Sequence, residues 1–94
     1  MVKHVVCFKL NEGESFEEAK KVLLSMDGNV PMLRGIEVGI DELRSARSYD
    51  VMLTVLLDDM NALAEYQKDP YHVSVVKKHM HAVTKTSISM DYTL

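Results

Sequence analysis

The segment from Tyr49 to Leu57 constrains the fold most, because from Val51 onward its odd and even positions are both apolar. Thr54 is the single polar residue between Val51 and Leu57. Successive side chains of a β-strand point to opposite faces, so a strand with this pattern needs cover on two sides. The sequence therefore predicts a central strand of a sheet whose two faces are both buried.

Three further segments have the composition of strands. Val2 to Leu10 is rich in β-branched and aromatic residues and ends in the turn formers at positions 11–14. Gly35 to Ile40 alternates apolar residues with glycine and glutamate, which is typical of an edge strand with one buried face. In the segment from Thr84 to Tyr92, larger residues also alternate with small or acidic polar residues in its second half. We therefore predict four strands.

Helices are predicted between these strands. Ser15 and Glu18 have the spacing of a capping box, and apolar residues then recur every three or four positions as far as Met26. The pair at positions 58–59, two aspartates, is suited to capping a second helix that runs to about residue 67. Asp69-Pro70 predicts a third helical segment, in which Asp69 is the cap and Pro70 occupies the first position.

The resulting order, β-α-β-β-α(α)-β, is the split βαβ pattern of the ferredoxin-like fold. We predict one α+β domain over residues 1–94, with an antiparallel four-stranded sheet that carries its helices on one face. The first strand places Val5 and Cys7 on one face of the sheet and Val6 and Phe8 on the other. The face that the helices leave uncovered is therefore apolar. Monomers rarely expose such a patch, and we therefore predict a homodimer that joins these sheet faces into a dimeric α+β barrel.

Charge and cysteine content exclude several kinds of partner. The formal net charge of −3 gives no positive field for nucleic acid or an anionic membrane. No apolar run approaches the roughly 20 residues that cross a bilayer, and the N-terminal residues lack a signal-peptide pattern, so we expect the mature protein to begin near Met1. Cys7 is the single cysteine, which excludes an internal disulfide and a thiolate zinc site and favours a reducing, cytoplasmic location. We expect Cys7 to be buried and unreactive.

Four segments resemble the stress-responsive A/B barrel (Dabb) family across nearly the whole chain. They are KHVVCFKL at 3–10, YDV at 49–51, YQKDPYHV at 66–73 and MDY at 90–92. The resemblance implies a dimeric α+β barrel. The family includes a plant polyketide cyclase that closes a ring by an aldol-type reaction without a metal or an organic cofactor, and the resemblance therefore implies no cofactor here.

Position by position, the resemblance places the family's catalytic residues on His4, Tyr66 and His72. It implies that His72 is a general base that removes a proton from the carbon next to a carbonyl. Tyr66 then orients the reacting group through a hydrogen bond, and His4 helps to hold the oxygen. Histidine suits the base role because its ordinary pKa, about 6.5, lies close to neutral pH.

Three functions stay open at this point. The first is a cofactor-free enzyme of the cyclase or isomerase kind, the second a small-molecule-binding or stress-response dimer without turnover, and the third a small cofactor-free monooxygenase. The plant cyclase lines its pocket with aromatic residues from the first helix, where this chain has Val22, Leu23 and Met26. We therefore expect a different pocket shape and a different substrate.

Other polar residues are weaker candidates for a functional site. His79 and His81 are two positions apart, about 200° around a helix, so they do not share a metal on one helix face. Arg44 and Arg47 lie in a polar linker and are candidates for an anionic ligand, although arginines in exposed loops are common.

Overall fold

The computed structural model describes all 94 residues and contains one antiparallel sheet. Its strands are β1 (Val2–Leu10), β2 (Gly35–Ile40), β3 (Val51–Leu57) and β4 (Thr84–Thr93), and their order across the sheet is β2-β3-β1-β4. The doubly apolar strand β3 is therefore central and β2 lies at an edge, which confirms both predictions.

Three α-helices and one π-helical segment connect the strands: α1 (Phe16–Leu24), α2 (Met60–Lys68), the π segment (His72–Lys77) and α3 (Lys78–Val83). The element order is that of the predicted ferredoxin-like α+β fold. The one departure is the π segment, where the sequence pattern predicts an ordinary helix. No helix in the structure has the length and apolar character needed to cross a membrane.

The three predicted helix starts are present with their caps. The Ser15 hydroxyl accepts the Glu18 N–H at 3.0 Å, and the Asp59 carboxylate accepts the Ala62 N–H at 2.8 Å. The Asp69 carboxylate accepts the backbone N–H of His72 in the same way. Each cap satisfies a backbone donor that a helix leaves unpaired at its first turn.

The core lies between the helices and one face of the sheet. Every second residue of β3 points into it and is buried. The helices and the turn after α1 cover this face with side chains that are almost fully buried, namely Ala19, Leu23, Met26, Leu63, Tyr66, Val76 and Met80. The remaining strand positions consequently face away from the helices.

That opposite side of the sheet, the helix-free face, is apolar and uncovered in the single chain. Its residues include Val5 and Cys7 of β1, Met52 of β3, and Ile88, Met90 and Tyr92 of β4. Met52 and Ile88, which flank Cys7 on the two neighbouring strands, are 44% and 53% exposed. Cys7 is half-buried in the single chain rather than part of the core, because strand alternation turns it toward this face.

Asp50, immediately before β3, is a buried carboxylate that fastens the preceding loop to β1. Its oxygens accept the Leu10 N–H at 2.7 Å, an Arg44 guanidinium N–H at 2.7 Å and the Lys9 ammonium at 3.3 Å. Burial raises the pKa of Asp50, but these three donors together outweigh burial and hold the pKa of Asp50 below its usual value.

We expect Asp50→Ala to lower the free energy of unfolding by about 1–3 kcal/mol, because it leaves the buried Leu10 N–H without an acceptor. Urea denaturation at pH 7 measures this loss. The contribution of Asp50 is complete above its unfolded pKa of about 3.9 and is lost as pH falls through its lower folded pKa.

The matched control is Asp58→Ala, which removes a carboxylate from the exposed Arg34–Asp58 pair. Exposed pairs contribute little, so we expect this variant to be nearly as stable as the wild type. Equal losses in the two variants would contradict the structural role given to Asp50.

Candidate functional site

A cavity of about 230 Å³ lies between the sheet and the helices. The three residues that the sequence singles out, His4, Tyr66 and His72, all line it. The remaining lining is mostly apolar and includes four further polar side chains; it consists of Val6, Phe8, Leu23, Leu53, Gln67, Val76, Lys77, Met80, His81 and Ser89. The fold thus gathers into one pocket residues that are distant in sequence.

Tyr66 of α2 is fully buried and its ring contacts both histidines. Its centroid lies 4.2 Å from that of His72, with the rings tilted by 30°, and 5.7 Å from that of His4 in an edge contact. The hydroxyl donates to the Met26 sulfur at 3.7 Å, so it points into the core. Burial, and to a lesser extent the Asp69 charge, raises the pKa of Tyr66 and keeps the phenol neutral.

His72 is the first residue of the π segment, directly after the break that separates this segment from α2. Two hydrogen bonds to earlier residues hold it in place. Its backbone N–H donates to the Asp69 carboxylate at 3.0 Å, and its ring Nδ1 lies 2.9 Å from the Tyr66 carbonyl oxygen. A carbonyl only accepts hydrogen bonds, so Nδ1 carries the proton. The Nε2 atom makes no hydrogen bond within the protein and is not fully buried.

The surroundings of His72 favour its neutral form. Burial is the main cause that lowers the pKa of His72, and the positive charge of Lys77 lowers it further. The bond to the Tyr66 carbonyl and the negative charge of Asp69 act in the opposite direction but do not cancel this effect. At pH 7 the His72 ring is therefore neutral, with a lone pair at Nε2.

His4 enters the cavity from β1 with its Nδ1 bound to the Asp91 carboxylate of β4. The two residues are direct partners in the antiparallel register. A carboxylate partner fixes the Nδ1 proton and the ring orientation, as it does in other histidine sites. His4 is buried, and its Nε2 is free of protein partners.

Sequence reasoning missed two of the groups at this site. Asp91 belongs to the MDY segment of the family resemblance, but only the β1–β4 register shows that it faces His4. Lys77 lines the cavity only because the segment from His72 is π-helical. No pattern in the sequence predicts this π-helical segment.

The weaker candidates lie elsewhere. The structure has no group of three or more His, Cys, Asp or Glu side chains that could hold a metal ion. His81 lines the cavity and His79 does not. Arg44 is engaged by the carboxylates of Asp41 and Asp50, which gives it a structural role.

The sequence model described as the Stress responsive A/B Barrel Domain matches residues 2–94, so the chain belongs to this family. Comparison with curated proteins finds no match.

Solved structures share the fold. A dimeric protein of unknown function and ferredoxin-like fold from Bacteroides fragilis superposes with a TM-score of 0.85 at 22% identity, covering 99% of this chain and 95% of that one. The hydroxynitrile lyase from Passiflora edulis gives 0.77 at 13% identity, with 99% and 92% coverage. An antibiotic biosynthesis monooxygenase gives 0.75 at 11% identity, with 100% and 98% coverage.

We expect the lowered pKa of His72 to make stability depend on pH. The unfolded chain binds a proton at His72 more readily than the folded chain, so the contribution of His72 is complete above about pH 6.5 and is lost as pH falls below that value. His72→Asn keeps a donor near the position of Nδ1 but does not titrate. Urea denaturation between pH 7.5 and pH 5 should therefore show a smaller loss of stability in this variant than in the wild type.

His81→Gln is the control for this measurement, because His81 is exposed. Its pH dependence should match that of the wild type. An unchanged dependence in His72→Asn would mean that the environment of His72 does not favour the neutral ring.

Proposed function

We propose that this Dabb protein removes a proton from the carbon next to a carbonyl group of a small ligand, without a cofactor, as a cyclase or isomerase does. His72 is the base. One observation carries the proposal: Nδ1 of His72 is held as a donor by the Tyr66 carbonyl, which leaves the Nε2 lone pair free in a cavity. A general base requires a basic atom of this kind within reach of the ligand.

The lowered pKa of His72 keeps the base form populated at neutral pH but makes the base weaker. A carbon acid next to a carbonyl therefore needs help from a group that stabilises the enolate oxygen. His4 is placed for this role, because it lines the cavity and the Asp91 carboxylate holds its Nδ1 and fixes the orientation of the ring.

Tyr66 supports the site as a positioning residue in this proposal. The resemblance implies that its hydroxyl orients the reacting group, yet the hydroxyl contacts the Met26 sulfur and the side chain is fully buried. Its backbone carbonyl fixes the tautomer of His72, and its ring packs against both imidazoles. These contacts support a role that acts through the two histidines.

We also propose that two copies pair through the helix-free face, in the cytoplasm, where the unpaired Cys7 stays reduced. The apolar residues of that face support the dimer, because a patch of this kind rarely stays uncovered in water. The Bacteroides fragilis protein of similar fold is dimeric. Pairing on this face leaves the helix-covered cavity of each protomer intact.

Light scattering should give a mass of twice 10.7 kDa at micromolar concentration. Ile88→Glu, which puts a charge into the helix-free face, should give a monomer, whereas Ser87→Glu on the other face of β4 should leave the dimer intact. A thiol reagent should label Cys7 slowly in the wild type and faster in Ile88→Glu, because Ile88 is its strand partner. A monomeric wild type would contradict the proposed pairing.

Proton exchange in D₂O tests the chemistry directly. We expect the protein to accelerate deuterium incorporation next to the carbonyl of small ketones, including 4-oxopentanoate and cyclopentanone, as followed by NMR. His72→Asn should lower the protein-dependent rate about 100-fold or more, since general bases contribute about 10²–10⁴-fold.

His79→Gln is the matched control, because His79 lies outside the cavity lining, and it should keep the wild-type rate. Ligand binding without any exchange would favour the alternative of a binding protein without turnover. Exchange that is the same in wild type and His72→Asn would remove His72 from the mechanism.

A further inference from the structure

Lys77 carries the one permanent charge in the lining of the cavity, and no carboxylate of the protein neutralises it. The lining contains no aspartate or glutamate, and Lys77 takes part in none of the ion pairs of the structure. Its ammonium donates to the backbone carbonyl of Gln67 at 3.0 Å. An ammonium has three N–H donors, so two are left for a ligand.

The π segment explains why Lys77 reaches the cavity. In an α-helix, residues five apart are about 140° apart around the axis, because each residue turns it by about 100°. Hydrogen bonds in a π-helix join residues five apart, so His72 and Lys77, its first and last residues, lie on one face. Both side chains therefore line the same cavity. Such π segments occur frequently at functional sites.

We propose that Lys77 binds the carboxylate group of a small ligand whose other end lies against His72. That this other end is a carbonyl group rests on the function proposed above. The cavity, at about 230 Å³, is smaller than the roughly 300–1,000 Å³ of drug-sized sites, and its walls include Val6, Phe8 and Leu53. The ligand is thus a short-chain oxo acid. A single lysine matches the single charge of a carboxylate better than the higher charge of a phosphate.

A purely structural role for Lys77 predicts something different. Gln67 lies in the last turn of α2, and a lysine bonded to its carbonyl caps the end of that helix. Lys77→Gln separates the two roles, because it keeps a donor for this carbonyl and removes the charge. Lys78→Gln is the matched control: it removes the same charge from the next residue, which is exposed and outside the cavity lining.

The test is the binding of 4-oxopentanoate and of its neutral isostere, 4-oxopentanamide, measured by NMR titration of the full chain. We expect the wild type and Lys78→Gln to bind the acid about tenfold or more tightly than the amide, because hydrogen bonds to charged groups are strong. Lys77→Gln should bind the two compounds equally. Equal binding by the wild type, no binding of either compound, or a preference for the acid that persists in Lys77→Gln would overturn the assignment.

Proton exchange on the same two compounds separates this inference from the function on which it rests. If acid and amide bind and exchange equally well and the exchange needs His72, the base role stands and the carboxylate site is wrong. If the acid is preferred through Lys77 but neither compound exchanges, the carboxylate site stands and the base role is wrong.

Discussion

The break in the chain at Asp69-Pro70 is the feature on which the site depends. Asp69 accepts the backbone N–H of His72, and the last turn of α2 offers the Tyr66 carbonyl to the His72 ring. The two bonds fix the position of His72 and the nitrogen that carries its proton. Pro70, four residues after Tyr66, has no N–H to donate, so the Tyr66 carbonyl accepts the Asp69 N–H at 3.2 Å and has room to accept from the Nδ1 atom of His72 as well.

Successive side chains of a strand point to opposite faces, so the two faces of the sheet have separate roles. One face of β1 carries His4, Val6 and Phe8 into the cavity, and the other carries Val5 and Cys7 to the helix-free face. Chemistry and association are therefore supported by the same strand without sharing side chains. A substitution at an odd position of β1 should affect association first, and one at an even position should affect the cavity first.

Much of the fold was predictable from the sequence, because periodicity and caps are local properties. The apolar run from Val51 and the cap at Ser15 each gave the right element at the right place, and the Asp69-Pro70 pair gave the start of the third helical segment but not its π-helical turns. The grouping of His4, Tyr66 and His72 followed from the family resemblance, since no local pattern joins residues so far apart.

The remaining features of the site depend on contacts between residues distant in the chain, which cannot be read from the sequence. The pairing of His4 with Asp91 is a matter of register between β1 and β4, which shifts near Lys9 and Leu10. Lys77 reaches the cavity because of a π-helical turn, whereas an α-helical pattern turns it away from His72. The direction of the Tyr66 hydroxyl toward Met26 depends on a buried contact between side chains that are 40 positions apart in the sequence.

The proposed chemistry requires His72 to present a bare Nε2 atom to the cavity at neutral pH. Heteronuclear NMR of the labelled imidazole at pH 7 tests this most directly, because the two ring nitrogens have different shifts when protonated and when bare. We expect a proton on Nδ1 and none on Nε2. A proton on Nε2, or a ring protonated at both nitrogens, would contradict it.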